Sequence, residues 1–593
     1  MMETHFRSAV CGDIDANKNG QAVKLAGWAD SRRDLGGVIF VDLRDRSGIV
    51  QLVINEEDAG ADFATAEKVR SEYVLNIEGT VRKREAENIN PKMATGQMEV
   101  LVSRLTILDT SATPPIYVED DDKSGENVRL KYRYLDLRKP KNQKILMTRA
   151  RAASIVRDYL NHEGFCEIET PILGKTTPEG ARDFLVPSRV QKGNFFGLPQ
   201  SPQLFKQILM ISGMDRYYQI AKCFRDEDLR QDRQPEFTQI DMEMSFVTKD
   251  DIMPIMEGMI AQVFKEIRGV ELERPFPRMT WQEAMDRFGS DKPDMRFGME
   301  LHNLSDILKD SDFKVFSDAI QRGGSVRAVI AKDAQGKLSK KTLKNLEKFV
   351  KIYKAKGLAW IDVKDEGQKS PILKFISEEE KEAIYKEMGA ENGDYIFMVA
   401  DTDQIVCTAL GQLRLELAKR LGFDLSDQFK FLWVIDFPLL EYDAEQGRYV
   451  AVHHPFTAPL DEDIPLLDTA PEKVRSDAYD MVVNGVELGG GSIRIHNGDI
   501  QDKMFKALNL NEETVQTQFG FLMEALKYGT PPHGGLAFGF DRLIMMLLDL
   551  DNIRDVIAFP KTQNHSDLMT EAPAQASLDQ LIDLGISVDD DIV

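Results

Sequence analysis

A chain of 593 residues with a formal net charge of −23 is too long for one core, so about three or four domains are expected. That charge argues against loose, non-specific nucleic-acid binding; a nucleic-acid partner would have to be held by local basic patches. Hydrophobic residues at 42% and charged residues at 29% are those of a soluble globular protein, and no run of about 18 apolar residues predicts a membrane span.

Four scattered cysteines and eight histidines form no metal-ligand spacing. The opening Met-Met-Glu-Thr-His-Phe-Arg-Ser lacks the apolar core of a secretory signal, so a reducing, cytoplasmic setting is expected.

Residues 1–110 read as a small β-barrel domain. Strand-like runs at 23–28, 38–44, 49–54, 74–82 and 97–108 enclose one helix-like segment, 63–72, after the third strand. That is the order of an OB-fold, which commonly binds single-stranded nucleic acid. In the second strand Ile39, Val41 and Leu43 point into the core, and Phe40, Asp42 and Arg44 point away. A ring on the polar face suits stacking on a base; it also suits packing beneath a loop. Gln51 alternates with Ile49 and Val53, which leaves its face open. Arg32, Arg33, Arg44 and Arg46 are candidate phosphate contacts.

Residues 111–140 form a linker, with Thr-Pro-Pro and Glu-Asp-Asp-Asp in its first part. A core domain then begins, 141–290. Its opening helix, 141–162, stops at Gly164, and a strand over 165–170 runs into Pro171. A polar loop follows at 176–183. At Gln200-Ser-Pro-Gln-Leu-Phe-Lys-Gln a helix starts, with Ser201 as cap and Pro202 at its first position. Gln203 and Lys206 share a face of it, as they would on any solvated surface helix.

The stretch 224–243, Phe-Arg-Asp-Glu-Asp-Leu-Arg-Gln-Asp-Arg-Gln-Pro-Glu-Phe-Thr-Gln-Ile-Asp-Met-Glu, reads as two strands joined by a charged loop, Asp228 to Pro235. Phe237, Gln239, Asp241 and Glu243 share one face of the second strand, and Arg225 and Glu227 share a face of the first. An aromatic, several acids and an arginine on one face favour a floor for a charged ligand over an ordinary hairpin with one wet face.

A helix at 250–268 follows. Residues 291–425 are richer in Lys and Glu and read as an inserted domain. The core resumes over 426–560, and 561–593 form an extension ending in an acidic tail.

In the resumed core Asp480 and Glu487 flank a strand ahead of the glycine run 489–491. Two carboxylates beside a polyphosphate site suit Mg²⁺, a hard ion that takes oxygen ligands. Simple alternation puts Glu487 and Arg494 on opposite faces; a bulge in the glycine run would reset the register. His453 and His454, as strand neighbours, would point to opposite faces. Finally a glycine-rich strand enters an apolar helix near Asp541, with Arg542 in its first turn. A cation there opposes the helix dipole unless an anion binds or a nearby acid, such as Asp541, pairs with it.

Together these pieces resemble the class II aminoacyl-tRNA synthetases: 141–171 is similar to their motif 1, the hairpin to motif 2, and 535–543 to motif 3. The strings at 32–36, 177–183, 198–207, 224–230 and 489–499 resemble the bacterial-type aspartyl enzymes of subclass b, over nearly the whole chain. The resemblance implies an α/β multidomain protein: an N-terminal OB-fold barrel, an antiparallel-sheet catalytic core and an inserted α+β domain of GAD type. It implies an aspartate–tRNA ligase using ATP, Mg²⁺, L-aspartate and tRNA(Asp) in a cytoplasmic homodimer without membrane contact. Aspartyl-adenylate forms first, and the aspartyl group then passes to the 3′ end of the tRNA.

By the same resemblance Arg225, Arg542 and Glu487 carry the chemistry. Arg225, Glu227, Phe237, Gln239, Glu487, Gly539 and Arg542 hold ATP, and Asp480 with Glu487 hold Mg²⁺. Glu179, Ser201, Gln203, Lys206, Asp241, His453, His454 and Arg494 surround the aspartate. Lys206 and Arg494 are the pair aimed at its side-chain carboxylate, so that asparagine, nearly the same shape, would leave buried positive charge uncompensated. For the tRNA the implied contacts are Arg33, Phe40, Gln51 and Glu99 at the anticodon and Arg230 and Arg233 at the acceptor end.

Asparaginyl enzymes lack the lysine counterpart of Lys206, and tRNA-independent amide ligases lack the OB-fold. Some relatives also charge tRNA(Asn). Leu35 lies where that choice is made and leans toward tRNA(Asp) alone, whereas Glu87 and Asn88 give no vote.

Overall fold

The computed structural model describes residues 3–176, 181–364 and 368–589. Near the N-terminus β1 (Ala22–Asp34), β2 (Val38–Asp45), β3 (Gly48–Asn55), β4 (Val74–Lys83) and β5 (Met98–Asp109) close a barrel in the order β1-β2-β3-β5-β4. Alternation fills its interior: Ile39, Val41, Leu43, Leu52, Ile77 and Val100 are buried there. The helix expected over 63–72 is two single turns, Glu56–Ala59 and Phe63–Ala66, joined at Gly60–Asp62. Gly60 at φ +54° ends the first turn, and Glu72 at φ +63° stands outside helical space.

The linker carries two short helices, Glu126–Lys131 and Arg133–Asp136. Helix α1 (Pro140–His162) takes Pro140 from the expected linker as its first residue and ends ahead of Gly164 at φ +81°, the stop the sequence predicts. The strand expected at 165–170 shrinks to β6 (Cys166–Glu167). Thr170 has left the ladder, its N–H donating to the Gln219 side chain at 3.1 Å.

After α2 (Gln203–Ile211) come β7 (Arg216–Phe224), β8 (Glu236–Ser245), α3 (Lys249–Arg268) and β9 (Arg278–Thr280). The later strands are β10 (Phe431–Ile435), β11 (Ala478–Val483), β12 (Val486–Ile493) and β13 (His533–Gly539), the last leading into α4 (Phe540–Leu547). The eight strands form one sheet, β9-β10-β11-β12-β13-β8-β7-β6, antiparallel through its centre and parallel only in the edge pairs β9–β10 and β6–β7.

One face of this sheet is apolar. Ile240, Met242 and Met244 of β8, with Met481 and Phe538, pack against α1, α3 and α4. The period of two in β8 therefore turns Gln239, Asp241 and Glu243 to the opposite face.

Between β9 and β10 the chain builds a separate four-stranded sheet, in the order 302–303, 325–331, 395–401, 359–362, with one apolar core on each face. No helix among the described residues is long and apolar enough to cross a membrane.

Candidate active site and nucleic-acid interface

β7 and β8 pair with Phe224 opposite Glu236. β7 ends at Phe224, so Arg225 and Glu227 belong to the loop and not to the strand expected to carry them. The Asp226 N–H leaves the ladder to donate to the Arg182 carbonyl at 3.0 Å, and Arg225 N–H donates to Pro235 O at 2.9 Å, closing a loop from 225 to 235. The Arg225 guanidinium lies 5.0 Å from the Phe237 ring centre. Arg233 pairs with Glu227 at 2.8 Å, and Arg230 is exposed.

Arg225, Glu227, Phe237, Gln239, Glu487, Gly539 and Arg542 line one cavity of about 310 Å³. Gly539 caps α4, which puts Arg542 in its first turn as expected. Asp541 is not its partner: that carboxylate accepts from Arg149 at 2.6 Å and from the Thr238 N–H at 2.7 Å. Arg542 donates to the Glu487 carbonyl at 2.6 Å and stands 3.5 Å from Asp232. A partly exposed cation at a helix N-terminus, facing a cavity, is suited to an anionic ligand.

A second cavity, about 150 Å³, shares Arg225, Gln239 and Ala537 with the first and adds Ser201, Gln203, Lys206, Asp241, His453, His454 and Arg494. Helix α2 starts at Gln203 with Pro202 as its cap, so Ser201 lies one residue further out than expected; its Oγ accepts from the Gln203 N–H at 3.4 Å. The solvated-surface alternative for this helix is overturned: Gln203 and Lys206 are 6% and 2% exposed.

Lys206 Nζ sits 2.6 Å from Asp241 and 3.4 Å from Glu243, and Arg494 grips Glu243 through Nε and Nη2 at 2.9 and 3.1 Å. Two cations and two anions thus share one buried site, and their mutual pairing offsets the cost of removing them from water. Burial pushes the Asp241 carboxyl up against the pull of Lys206. Burial also acts to raise Glu243, but Arg494 and Lys206 outweigh it and hold that carboxyl low. Asp241 Oδ2 and Gln203 Nε2 have no hydrogen-bond partner among the described residues, one acceptor and one donor left for a ligand.

His453 lies on a bend and His454 just beyond it, neither in a strand, and both line this cavity. His454 Nε2 is 2.9 Å from Arg494 Nη1, and its Nδ1 accepts from the Phe456 N–H at 3.2 Å. Burial, then the nearby Arg494, push its pKa well below the ordinary histidine value, so the ring is neutral.

Asp480 and Glu487 do not flank a single strand. They sit on β11 and β12, the two arms of a hairpin. Met481 faces Gly489 while Val482 faces Glu487, so Leu488 is an extra residue, a bulge just ahead of the glycines. Leu488 turns into the core, and Glu487 is reset to the face of Gly490, Ser492 and Arg494. A Cβ at Gly490 would run into Asp480, which explains glycine there.

Burial and the charge of Glu487 push Asp480 up to about 6. Glu487 is held low because Lys292, with Nζ 2.8 Å away, outweighs its burial. Asp480 Oδ1 is buried and has no hydrogen-bond partner among the described residues, with His453 Nε2 3.8 Å off. Two hard carboxylates, one with an orphaned oxygen, fit a divalent cation. No group of three or more ligating side chains gathers among the described residues, so phosphate oxygens and water would complete its shell.

On the barrel, Phe40 stands opposite Arg33 and Val53, and Asp42 opposite Gln51, which puts Gln51 on the face of Phe40. Arg33 donates to Gln51 at 2.9 Å, Gln51 to Glu99 at 3.0 Å, and Arg82 to Glu99 at 2.7 Å; the Arg33 guanidinium is 5.8 Å from the half-buried Phe40 ring. Arg44 is corrected as a phosphate contact: it is buried, held by Glu72 at 2.7 and 2.8 Å and by Asp30. Arg32 pairs with Asp34, and Arg46 is exposed. Glu179 lies outside the described residues.

Sequence reasoning assigned no task to three residues the site uses. Glu243 was legible as a face-mate of Asp241, but nothing in alternation gave it two cations. Arg149, on α1, supports Asp541, and Lys292 reaches Glu487 from the root of the inserted sheet; neither left a local signal.

Residues 125–563 match the family model described as tRNA synthetases class II (D, K and N), and residues 23–108 match that of an OB-fold nucleic acid binding domain. An aspartate–tRNA ligase of Ruminiclostridium cellulolyticum is 57% identical over 583 residues, 98% of each chain. An aspartate–tRNA(Asp/Asn) ligase of Thermoanaerobacter sp. is 56% identical over 583 residues, again 98% of each. The asparaginyl-tRNA synthetase from Pyrococcus horikoshii, solved with asparaginyl-adenylate, aligns with a TM-score of 0.58 at 20% identity over 93% of this chain and 98% of that one, which shows a shared fold. A barrel of this kind joined to an antiparallel sheet with twin cavities defines a class II aminoacyl-tRNA synthetase. With relatives of such identity over its length, the chain belongs to the bacterial-type aspartyl-tRNA synthetase family.

Proposed function

We propose that the two joined cavities form one reaction chamber that couples L-aspartate to ATP and then to tRNA. The observation that carries this reading is the shared wall. Arg225 borders both cavities, so a phosphate held by it faces the nucleotide on one side and the amino acid on the other.

In the smaller cavity Lys206 and Arg494 meet the side-chain carboxylate of aspartate, while Asp241 Oδ2 takes the α-ammonium and Gln203 Nε2 an oxygen. In the larger, Phe237 stacks against adenine and Arg542 reaches the terminal phosphates. An α-carboxylate oxygen attacks the α-phosphorus, the bond to the bridging oxygen breaks, and pyrophosphate leaves. A terminal ribose hydroxyl of the tRNA then attacks the acyl carbon and AMP departs. Arg225 stabilises the charge that builds on the phosphorus oxygens. Asp480 and Glu487 would hold Mg²⁺, which would supply neutralisation of phosphate charge.

For the tRNA, Phe40 stacks on an anticodon base within the Arg33, Gln51 and Glu99 network, and Arg230 and Arg233 meet the acceptor end. The cytoplasm is the working compartment. A homodimer is favoured by exposed Leu173, Phe195 and Phe196, which line one surface cavity, with exposed Leu185 on the strand paired to Phe195–Gly197.

Aspartate-dependent exchange of pyrophosphate into ATP tests the first step: aspartate supports it and asparagine does not. Equal exchange with both amino acids would overturn the assignment of Lys206 and Arg494. A second reading, charging of both tRNA(Asp) and tRNA(Asn), is favoured by relatives of both names at 54–57% identity; charging each purified tRNA decides it.

A further inference from the structure

Among the described residues, Lys292 is the one side chain of the larger cavity that comes from the entrance to the inserted sheet. Its Nζ is 2.8 Å from Glu487 Oε2, and its side chain keeps 39% of its exposure.

The segment that carries it is clamped. Gly485, in the turn between β11 and β12, has φ +84°, and a Cβ there would stand 3.4 Å from Asp294 Cβ and 3.9 Å from the Lys292 carbonyl. Asp294 is buried, its carboxylate held by Arg296 at 2.7 Å, and its carbonyl accepts from Arg414 at 2.9 Å. The lysine is thus fixed against the same hairpin that presents Asp480 and Glu487. Arg542 also touches Glu487, donating to its backbone carbonyl at 2.6 Å. Two cations, Lys292 and Arg542, therefore contact Glu487 and line the same cavity.

We propose that Lys292 is a positioning residue for the β- and γ-phosphates of ATP. It is parked on Glu487 in the free protein and passes to the phosphates when a divalent cation takes that carboxylate. This rests on the larger cavity being the nucleotide site. The exchange keeps charge balanced: Glu487 trades one cation for another, and the ammonium gains an anionic partner as it leaves. A lysine is suited to such a move because it is a compact charge on a flexible stem, whereas an arginine fork is bound by geometry.

The test is binding of ATP and of AMP, each with Mg²⁺, to the full chain by calorimetry, in the wild type, Lys292→Met and Lys292→Arg. Lys292→Met weakens ATP by about ten- to a hundred-fold, the range for a hydrogen bond to a charged group. AMP, which has no β- or γ-phosphate, binds as before, and Lys292→Arg recovers most of the loss. Equal weakening of ATP and AMP would make Lys292 a structural prop and overturn the proposal. So would unchanged ATP binding, or tighter binding in Lys292→Met, which would make the lysine only a competitor of the metal for Glu487. The nucleotide site itself is tested separately: ATP binding that persists undiminished in both Phe237→Ala and Arg542→Ala would sink the site, whatever Lys292 does.

Discussion

The chain carries two polar networks on sheet faces, and they differ in depth. On the catalytic sheet Lys206, Asp241, Glu243 and Arg494 are all no more than 2% exposed, with every charge paired inside the protein. On the barrel Arg33, Gln51, Glu99 and Arg82 form a chain of similar bond lengths, yet the side chains of Arg33 and Arg82 are 56% and 46% exposed. A buried network recognises charge at high cost if broken, because water cannot replace a lost partner. On the barrel Gln51 and Glu99 are buried beneath these arginines, but the exposed outer contacts can be loosened and rebuilt around a long, flexible ligand, each worth little alone. The first suits a small amino acid told from its isostere by one charge, the second an unpaired stretch of nucleic acid.

The sharpest way to break this contrast is Lys206→Met. It leaves Asp241 and Glu243 sharing one cation. A buried pair broken on one side costs about 3–5 kcal/mol, so aspartate-dependent exchange falls by about a hundred- to several-thousand-fold, with a lowered melting temperature. Near-normal exchange would mean that the buried quartet does not read the substrate.

Phe40→Ala, on the other network, spares the exchange reaction and raises KM for tRNA by about five- to a hundred-fold, the worth of one stacked base. Equal losses in exchange and charging would remove the barrel face from anticodon reading.

His454 gives a smaller effect, read against pH. Its folded pKa is depressed, by burial first and Arg494 next, so the unfolded chain takes up a proton that the folded chain refuses. The neutral ring's contribution to stability is fully present above the unfolded value of about 6.5 and is lost as pH falls below it toward the folded pKa. His454→Gln should therefore flatten the fall in melting temperature between about pH 7 and 5. Parallel curves for the two proteins would show that the folded ring titrates normally.

The barrel was legible because β2 and β4 alternate and the turns are marked by glycine or polar residues, whereas β3 is buried on both faces and left Gln51 open. Phe40 on the polar face of β2 could be read for the same reason. The catalytic face of β8 was legible too, but the residues that meet it were not placed by local pattern. Glu487 reached the face of Arg494 only through the bulge at Leu488, a one-residue insertion that leaves no mark besides the glycines after it. Lys206 looked like a surface lysine because helical spacing tells which residues share a face and not what covers that face. Arg44 failed in the opposite sense: alternation turned it outward correctly, but Glu72, from a distant turn, covers it. Motif resemblance supplied the partners that periodicity could not.

The smallest effect sharpens the contrast most directly. Arg33 donates to Gln51 and stands 3.5 Å from Asp42, with its own side chain open to water. Arg33→Ala should change the unfolding free energy by less than about 1 kcal/mol, as for other exposed pairs. If Arg33 meets an anticodon phosphate, the variant also loses about one unit of slope when the logarithm of tRNA affinity is plotted against that of salt. An unchanged slope with weaker binding at every salt concentration would make Arg33 a reader of bases or a support for Gln51 instead. A large loss of stability would mean that the barrel network holds the fold as firmly as the catalytic one does, and that depth of burial does not separate their tasks.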